Sequence, residues 1–363
     1  MNIRCGIVGL PNVGKSTLYN ALTSATAAAE NYPFCTIEPN VGVVPVSDPR
    51  LDRIAAIVRP ERTVPAAMEF VDIAGLVAGA SRGEGLGNRF LSHVRETKAI
   101  AHVVRCFESG DVVHVSGRVS PLDDIETIET ELLLADLEQA ERARDRAAKT
   151  AKAGDREARA REALMTRAHA HLAEGHPLRT LELGPEEAAM LASLSPLTAK
   201  PVLYVANVAE DGFGTNALAE AVEARAHAEG AAAVRVSAAV EAELGGLDEA
   251  ERAEYLATIG IEEPGLARVV RAAGTLLGLQ TFFTAGPKET RAWTLRRGST
   301  AAQAAGVIHS DFERGFIRAE VVGYEDFVAL GGEQGAKAAG RWRLEGRDYV
   351  VTEGDVMHFR FAV

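Results

Sequence analysis

Eight residues, Gly9-Leu10-Pro11-Asn12-Val13-Gly14-Lys15-Ser16, restrict the fold of this chain more than any other stretch, because they satisfy G-x-x-x-x-G-K-S/T in full. An apolar run at 4–8 precedes them and helix-forming residues at 16–23 follow, so the order is strand, loop, helix. Glycine lets such a loop curl until successive N–H groups point at one anion, and the helix N-terminus adds positive potential at the same place. Lys15 can then neutralise the β and γ charges of a triphosphate, while Ser16 offers its hydroxyl to magnesium. A chance glycine-lysine turn would lack the strand before it and the helix behind it.

Further short apolar runs at 68–71, 101–107, 202–206 and 233–236 alternate with polar or glycine-containing segments. That pattern predicts an α/β fold, a mostly parallel sheet with helices on both faces. With 363 residues, 47% hydrophobic and 25% charged, there is room for two or three domains. No apolar run approaches the roughly 20 residues that span a bilayer, and the stretch after Met1-Asn2-Ile3-Arg4 is too short for a signal-peptide core. The expected location is cytoplasmic, with no membrane partner. Cys5, Cys35 and Cys106 lie far apart without Cys-x-x-Cys spacing, which speaks against a disulfide framework or a zinc site. A net charge of −12 speaks against whole-surface binding of nucleic acid and leaves room only for a local basic patch.

One such patch lies in a stretch rich in Ala, Glu, Arg and Leu, residues 123–174, which contains no proline and predicts an inserted helical hairpin. Ile125, Ile128 and Leu132 recur at helical spacing, Leu133 and Leu137 widen the stripe, and Gly154-Asp155 offers a break and a new N-cap. Residues 141–167 hold nine Lys or Arg against five Asp or Glu. Two explanations stay open for that tip: a solvated face with i to i+4 ion pairs, or a nucleic-acid contact. Beyond about residue 278, threonine, aromatic and glycine residues rise and Val356-Met357-His358-Phe359-Arg360-Phe361 alternates as a closing strand does, so a small β-rich unit is expected. The resulting division is a nucleotide domain at 1–122 and 198–277, a hairpin insertion at 123–197 and a C-terminal domain at 278–363.

Asp72-Ile73-Ala74-Gly75 follows the run at 68–71, where an aspartate would reach the magnesium and the Gly75 amide the γ-phosphate. Thr36, between the loop helix and the next strand, is placed to complete the metal shell, although loop threonines commonly serve only as turn formers. Base choice rests on the segment after the run at 202–206. A guanine site presents Asn-Lys-x-Asp there, whereas this chain has Asn207-Val208-Ala209-Glu210; without the aspartate clamp, adenine is favoured. Hydrolysis shows a gap, since Leu76 stands where a water-orienting glutamine follows the Asp-x-x-Gly motif. Slow turnover is expected. His93, His102 and His114 are candidate replacements, with His114 preferred because it falls in an exposed-looking stretch at 111–117; a plain surface histidine is the competing explanation.

Taken together, the stretches at 9–17, 31–40, 70–88, 102–107, 207–210 and 280–354 resemble the YchF subfamily of Obg-like ATPases, almost from end to end. The resemblance implies a Ras-like P-loop domain interrupted by an antiparallel helical hairpin and followed by a TGS domain, an α+β unit of ubiquitin-like β-grasp shape. It implies ATP as the preferred nucleotide and association with the ribosome. Carried over to this sequence, Asn12, Val13, Gly14, Lys15, Ser16 and Thr17 would contact phosphates, Ser16 and Thr36 magnesium, and Val208 and Glu210 the adenine, with Phe107 packing nearby. His114 falls at the position of the histidine proposed to replace the glutamine, and Asn12 resembles the asparagine linked to potassium-stimulated hydrolysis. Two rival functions remain at this point: a GTPase of ribosome assembly, and a ribosome- or RNA-binding adaptor whose turnover is incidental.

Overall fold

The structure is a computed structural model that describes residues 4–24, 40–73, 86–109, 114–115, 117–151 and 156–362. Its first sheet has six strands: β1 (Arg4–Val8), β2 (Val41–Val46), β4 (Ala66–Asp72), β5 (Ala99–Arg105), β6 (Val202–Asn207) and β7 (Ala232–Val236). They lie in the order β2-β4-β1-β5-β6-β7, parallel except for β2. The residues of β5 and β6 are buried on both faces, which is why these strands read as continuous apolar runs. Pro45, which has no N–H for the ladder, sits in β2 at the sheet edge. Helices α1 (Lys15–Ser24), α2 (Pro49–Val58), α3 (Leu86–Glu96), α4 (Pro121–Ala151), α5 (Arg156–Ala173), α6 (Pro185–Ala192), α7 (Ala217–Ala228), α8 (Ala238–Leu244), α9 (Glu249–Thr258) and α10 (Gly265–Leu276) follow in chain order. With β4 on one side of β1 and β5 on the other, the chain reverses direction of growth at β1, and ligands bind α/β sheets beyond the strand ends at such a reversal. The P-loop lies there. This is a Ras-like sheet.

The hairpin is α4 and α5. Ile125, Ile128 and Leu132 of α4 seat it on the first core, and Ala140, Leu164, Met165, Ala168 and Leu172 give it a core of its own. The two uses of the helix explain why its apolar stripe widens along its length.

The second sheet runs β11-β10-β12-β8-β9-β3, where β3 is Arg62–Val64, β8 Leu279–Ala285, β9 Glu289–Arg296, β10 Phe316–Gly323, β11 Arg343–Glu345 and β12 Asp355–Phe361. The hairpin β8–β9, helix α11 (Ala301–Ile308) and parallel pairing of β12 with β8 make a β-grasp arrangement. Successive residues face opposite sides of the sheet. Phe282, Val321 and Met357 meet α11 on one side, and Phe283, Val322 and Val356 meet Leu51 and Ile54 of α2 on the other. The sequence reading kept residues 49–64 with the nucleotide domain; here they pack against and pair with the C-terminal sheet. Helix α2 starts cleanly, with Asp48 accepting from the Arg50 amide and Pro49 in the first turn. The chain then turns through Arg59 at φ 52°, and β3 adds itself in parallel to β9. The segment between β2 and β4 thus covers the far face and extends the edge of the C-terminal sheet.

Candidate functional site

The loop after β1 is shaped by close approach. A Cβ on Gly9 would lie 2.7 Å from the Val103 carbonyl oxygen, and one on Gly14, where φ is +90°, would run into the Asn207 amide nitrogen. Asn12 also holds a positive φ, 64°. The loop opens into α1, whose first turn carries no acidic residue to compete with an anion. Ser16 and Thr17 are exposed there. Lys15 is only 7% exposed, and its Nζ pairs with Asp72 Oδ1 at 2.6 Å. The P-loop lysine and the aspartate at the end of β4, 57 residues apart in sequence, therefore form one unit. Thr36, Gly75 and Leu76 lie outside the described residues.

Asn207 ends β6 and is consumed by the protein. Its Nδ2 donates to the Val13 carbonyl at 2.8 Å and its Oδ1 accepts from the Ala238 amide at 2.9 Å. Both ends of its amide thus tie β6 to the loop after β1 and to the start of α8. The residue after Asn207, Val208, is 2% exposed and belongs to the first core, packed close to Gly212. Glu210, itself exposed, opens a turn of 3₁₀ helix and accepts from the Tyr255 hydroxyl at 3.0 Å. Of the two residues carried over for adenine, Glu210 presents a polar group to solvent and Val208 does not.

The histidines separate. His93 is exposed on α3. His102 is 2% exposed beside Tyr204, and burial, aided by the Arg179 charge, holds its pKa down to about 4, so it is a neutral core residue at pH 7. His114 contradicts the expectation of an exposed loop histidine: it is 5% exposed, and its Nε2 lies 3.0 Å from Asp124 Oδ2. The reason is Asp124, in the first turn of α4, whose carboxyl is itself buried and raised in pKa by that burial. A buried acid needs a partner, and His114 supplies it.

Three residues escaped the sequence reading. Arg105, the last residue of β5, is 1% exposed. Its guanidinium lies 4.7 Å from the Phe107 ring centroid, its Nε donates to the Phe107 carbonyl at 3.1 Å, and a terminal nitrogen donates to the Asn12 carbonyl at 3.4 Å. The signal was available: a fixed charge at the end of a run that is otherwise apolar. Ser237, a buried N-cap of α8, and Ala238 also escaped notice, because nothing in their local sequence marks them as neighbours of Asn207.

The basic hairpin tip is partly neutralised by its own acids, through Arg142–Glu138, Arg144–Glu141 and Arg161–Glu157. Among the described residues no helix is long and apolar enough to cross a membrane.

Comparison with known proteins adds to this geometry. A family profile described as "50S ribosome-binding GTPase" matches residues 4–141, and a C-terminal profile of the YchF family, described as a protein of unknown function, matches 279–362. The chain is 60% identical over 363 residues to "Ribosome-binding ATPase YchF" of Haemophilus influenzae, covering all of both chains. It is 51% identical over 366 residues to the protein of that name in Bacillus subtilis, again covering all of both. A solved structure described as the Schizosaccharomyces pombe YchF GTPase superposes with a TM-score of 0.90 at 36% identity, covering 99% of this chain and 98% of that one.

Proposed function

The chain belongs to the YchF family, and from that premise we propose that it is a P-loop ATPase acting as a slow, nucleotide-dependent switch on the ribosome. The observation that carries the reading is the loop at Gly14-Lys15-Ser16, locked to Asn207 in a site without the Asn-Lys-x-Asp clamp. The loop amides and α1 would hold the phosphates. Lys15, now paired with Asp72, would turn to the β and γ oxygens, leaving the Asp72 carboxylate for the metal side. Ser16, itself exposed, and Thr36 would hold magnesium, which would neutralise charge on the phosphates. Potassium would sit by Asn12. Glu210 is the polar group offered to adenine, Val208 supplies packing behind it, and Gly75 would meet the γ-phosphate. The division into nucleotide, hairpin and TGS domains is retained, with 49–64 reassigned to the TGS side. The expected location is the cytoplasm.

Titration with fluorescent ATP and GTP analogues tests the base reading: ATP is expected to bind more tightly, and tighter GTP would sink it. A GTPase is the second reading, favoured by the name of the fission-yeast relative. His114 is proposed to orient the attacking water after leaving Asp124. Replacing it with alanine should lower ATP turnover about 100-fold, the usual range for a general acid or base, with ATP affinity nearly unchanged. Steady-state turnover and equilibrium binding separate the two effects.

A further inference from the structure

We infer that Arg105 is a positioning residue that ties the base end of the nucleotide site to its phosphate end. The inference deepens the nucleotide-site reading above and rests on it. Strands β5 and β6 are parallel neighbours, and Arg105 and Asn207 stand opposite each other at their ends. From there each reaches back to the loop after β1. Asn207 holds the Val13 carbonyl at 2.8 Å and Arg105 the Asn12 carbonyl at 3.4 Å, so two adjacent peptide carbonyls of the loop are gripped from two adjacent strands. Pinning these carbonyls keeps the intervening N–H groups turned toward the anion site, and Asn12 at φ 64° needs such support.

The second hand of Arg105 grips Phe107. The planar guanidinium lies against the ring at 4.7 Å while its Nε holds the Phe107 carbonyl at 3.1 Å. Stacking and forked hydrogen bonding at once are what arginine can do and lysine cannot. The intervening residue is also fixed: the Cys106 amide donates to the Asn207 carbonyl at 2.8 Å, and its carbonyl accepts from Asn216 at 3.1 Å. Phe107 therefore cannot shift without moving the arginine that holds Asn12. A base that seats against Phe107 tightens the phosphate loop, and a loosened Phe107 slackens it.

The test uses a ligand with no base. Inorganic tripolyphosphate, titrated calorimetrically into the full chain, samples the loop alone. The half-buried Phe107 can be changed to leucine without opening the core. Phe107→Leu should weaken tripolyphosphate about threefold although the ring touches no phosphate, the size expected of a coupling residue. Arg105→Lys should weaken ATP about tenfold and tripolyphosphate about as much as Phe107→Leu does, and the double variant should be no worse for tripolyphosphate than either single one. Unchanged tripolyphosphate affinity in Phe107→Leu, or additive losses in the double variant, overturns the coupling. If Arg105→Lys fails to fold, Phe107→Leu alone decides. A wild type that prefers GTP while Phe107→Leu still weakens tripolyphosphate sinks the adenine reading and upholds the coupling; a wild type that binds no tripolyphosphate overturns both.

Discussion

Two segments interrupt the nucleotide-binding sheet, and they are attached by opposite means. The hairpin α4–α5, between β5 and β6, carries its own apolar core and rests on the parent domain through one stripe and a polar seat. In that seat Arg179 joins Glu129 at 2.6 Å and Glu229 at 3.2 Å, Arg225 joins the same two acids, and the Tyr204 hydroxyl donates to Glu229 at 2.8 Å. Asp136 adds three bonds to the returning chain at Leu197 and Thr198. The α2–β3 segment, between β2 and β4, is much shorter and has no core of its own. Its Leu51 and Ile54 complete the core of the other domain, and its strand completes the other sheet. The hairpin is an appendage on one domain; α2–β3 makes two domains share a piece of chain. The strands β2 and β4 that bracket it are thereby linked to the C-terminal sheet by packed side chains and strand pairing.

The largest effect should come from breaking that shared piece. Ile54 of α2 is fully buried in the core that also holds Phe283, so Ile54→Asp places an unpaired charge in the second core and should cost about 4 kcal/mol or more. The chain's two tryptophans, Trp293 and Trp342, both belong to that domain, so their fluorescence in urea should shift to an earlier midpoint. An unmoved tryptophan transition would show that α2 contributes nothing to this core.

Acid should find the hairpin seat next. His102, beside Tyr204, is held at about 4 against an ordinary 6.5, so the unfolded chain takes up a proton that the fold refuses. The stability it supports is complete above pH 6.5 and lost as pH falls toward 4, by about 3 kcal/mol over the window. His102→Phe should flatten that part of the pH profile of unfolding; an equally steep profile would assign the acid sensitivity elsewhere. The smallest effect is expected from Arg179→Ala, which leaves Glu129 and Glu229 facing each other with Arg225 as their remaining cation in a half-wet seat, at about 2 kcal/mol by circular dichroism. Its tryptophan midpoint should track the wild type, in contrast to Ile54→Asp, and a matching shift of both probes would mean that the hairpin seat supports the second domain as well.

Much of this molecule was determined by local sequence. The glycines and lysine of the P-loop, the aspartate that ends β4, the helical insertion and the alternating last strand each express a rule that acts over a few residues: a φ only glycine adopts without strain, a period of 3.6 or of 2, a cap. Tertiary structure decided what each surface meets. The spacing of Leu51, Ile54 and Val58 specifies a helix with one apolar face, but the core that receives it is set by β3 pairing with β9 more than 200 residues onward. His114 lies in a stretch read from sequence as an exposed loop, and it is buried because Asp124 arrives from α4 already short of solvent. Arg105 and Asn207 became a pair only when parallel pairing set the ends of β5 and β6 side by side, 102 residues apart in the chain. Local sequence fixes dihedral preferences and the side a residue faces; the partner on that side depends on strand order, which no short window contains.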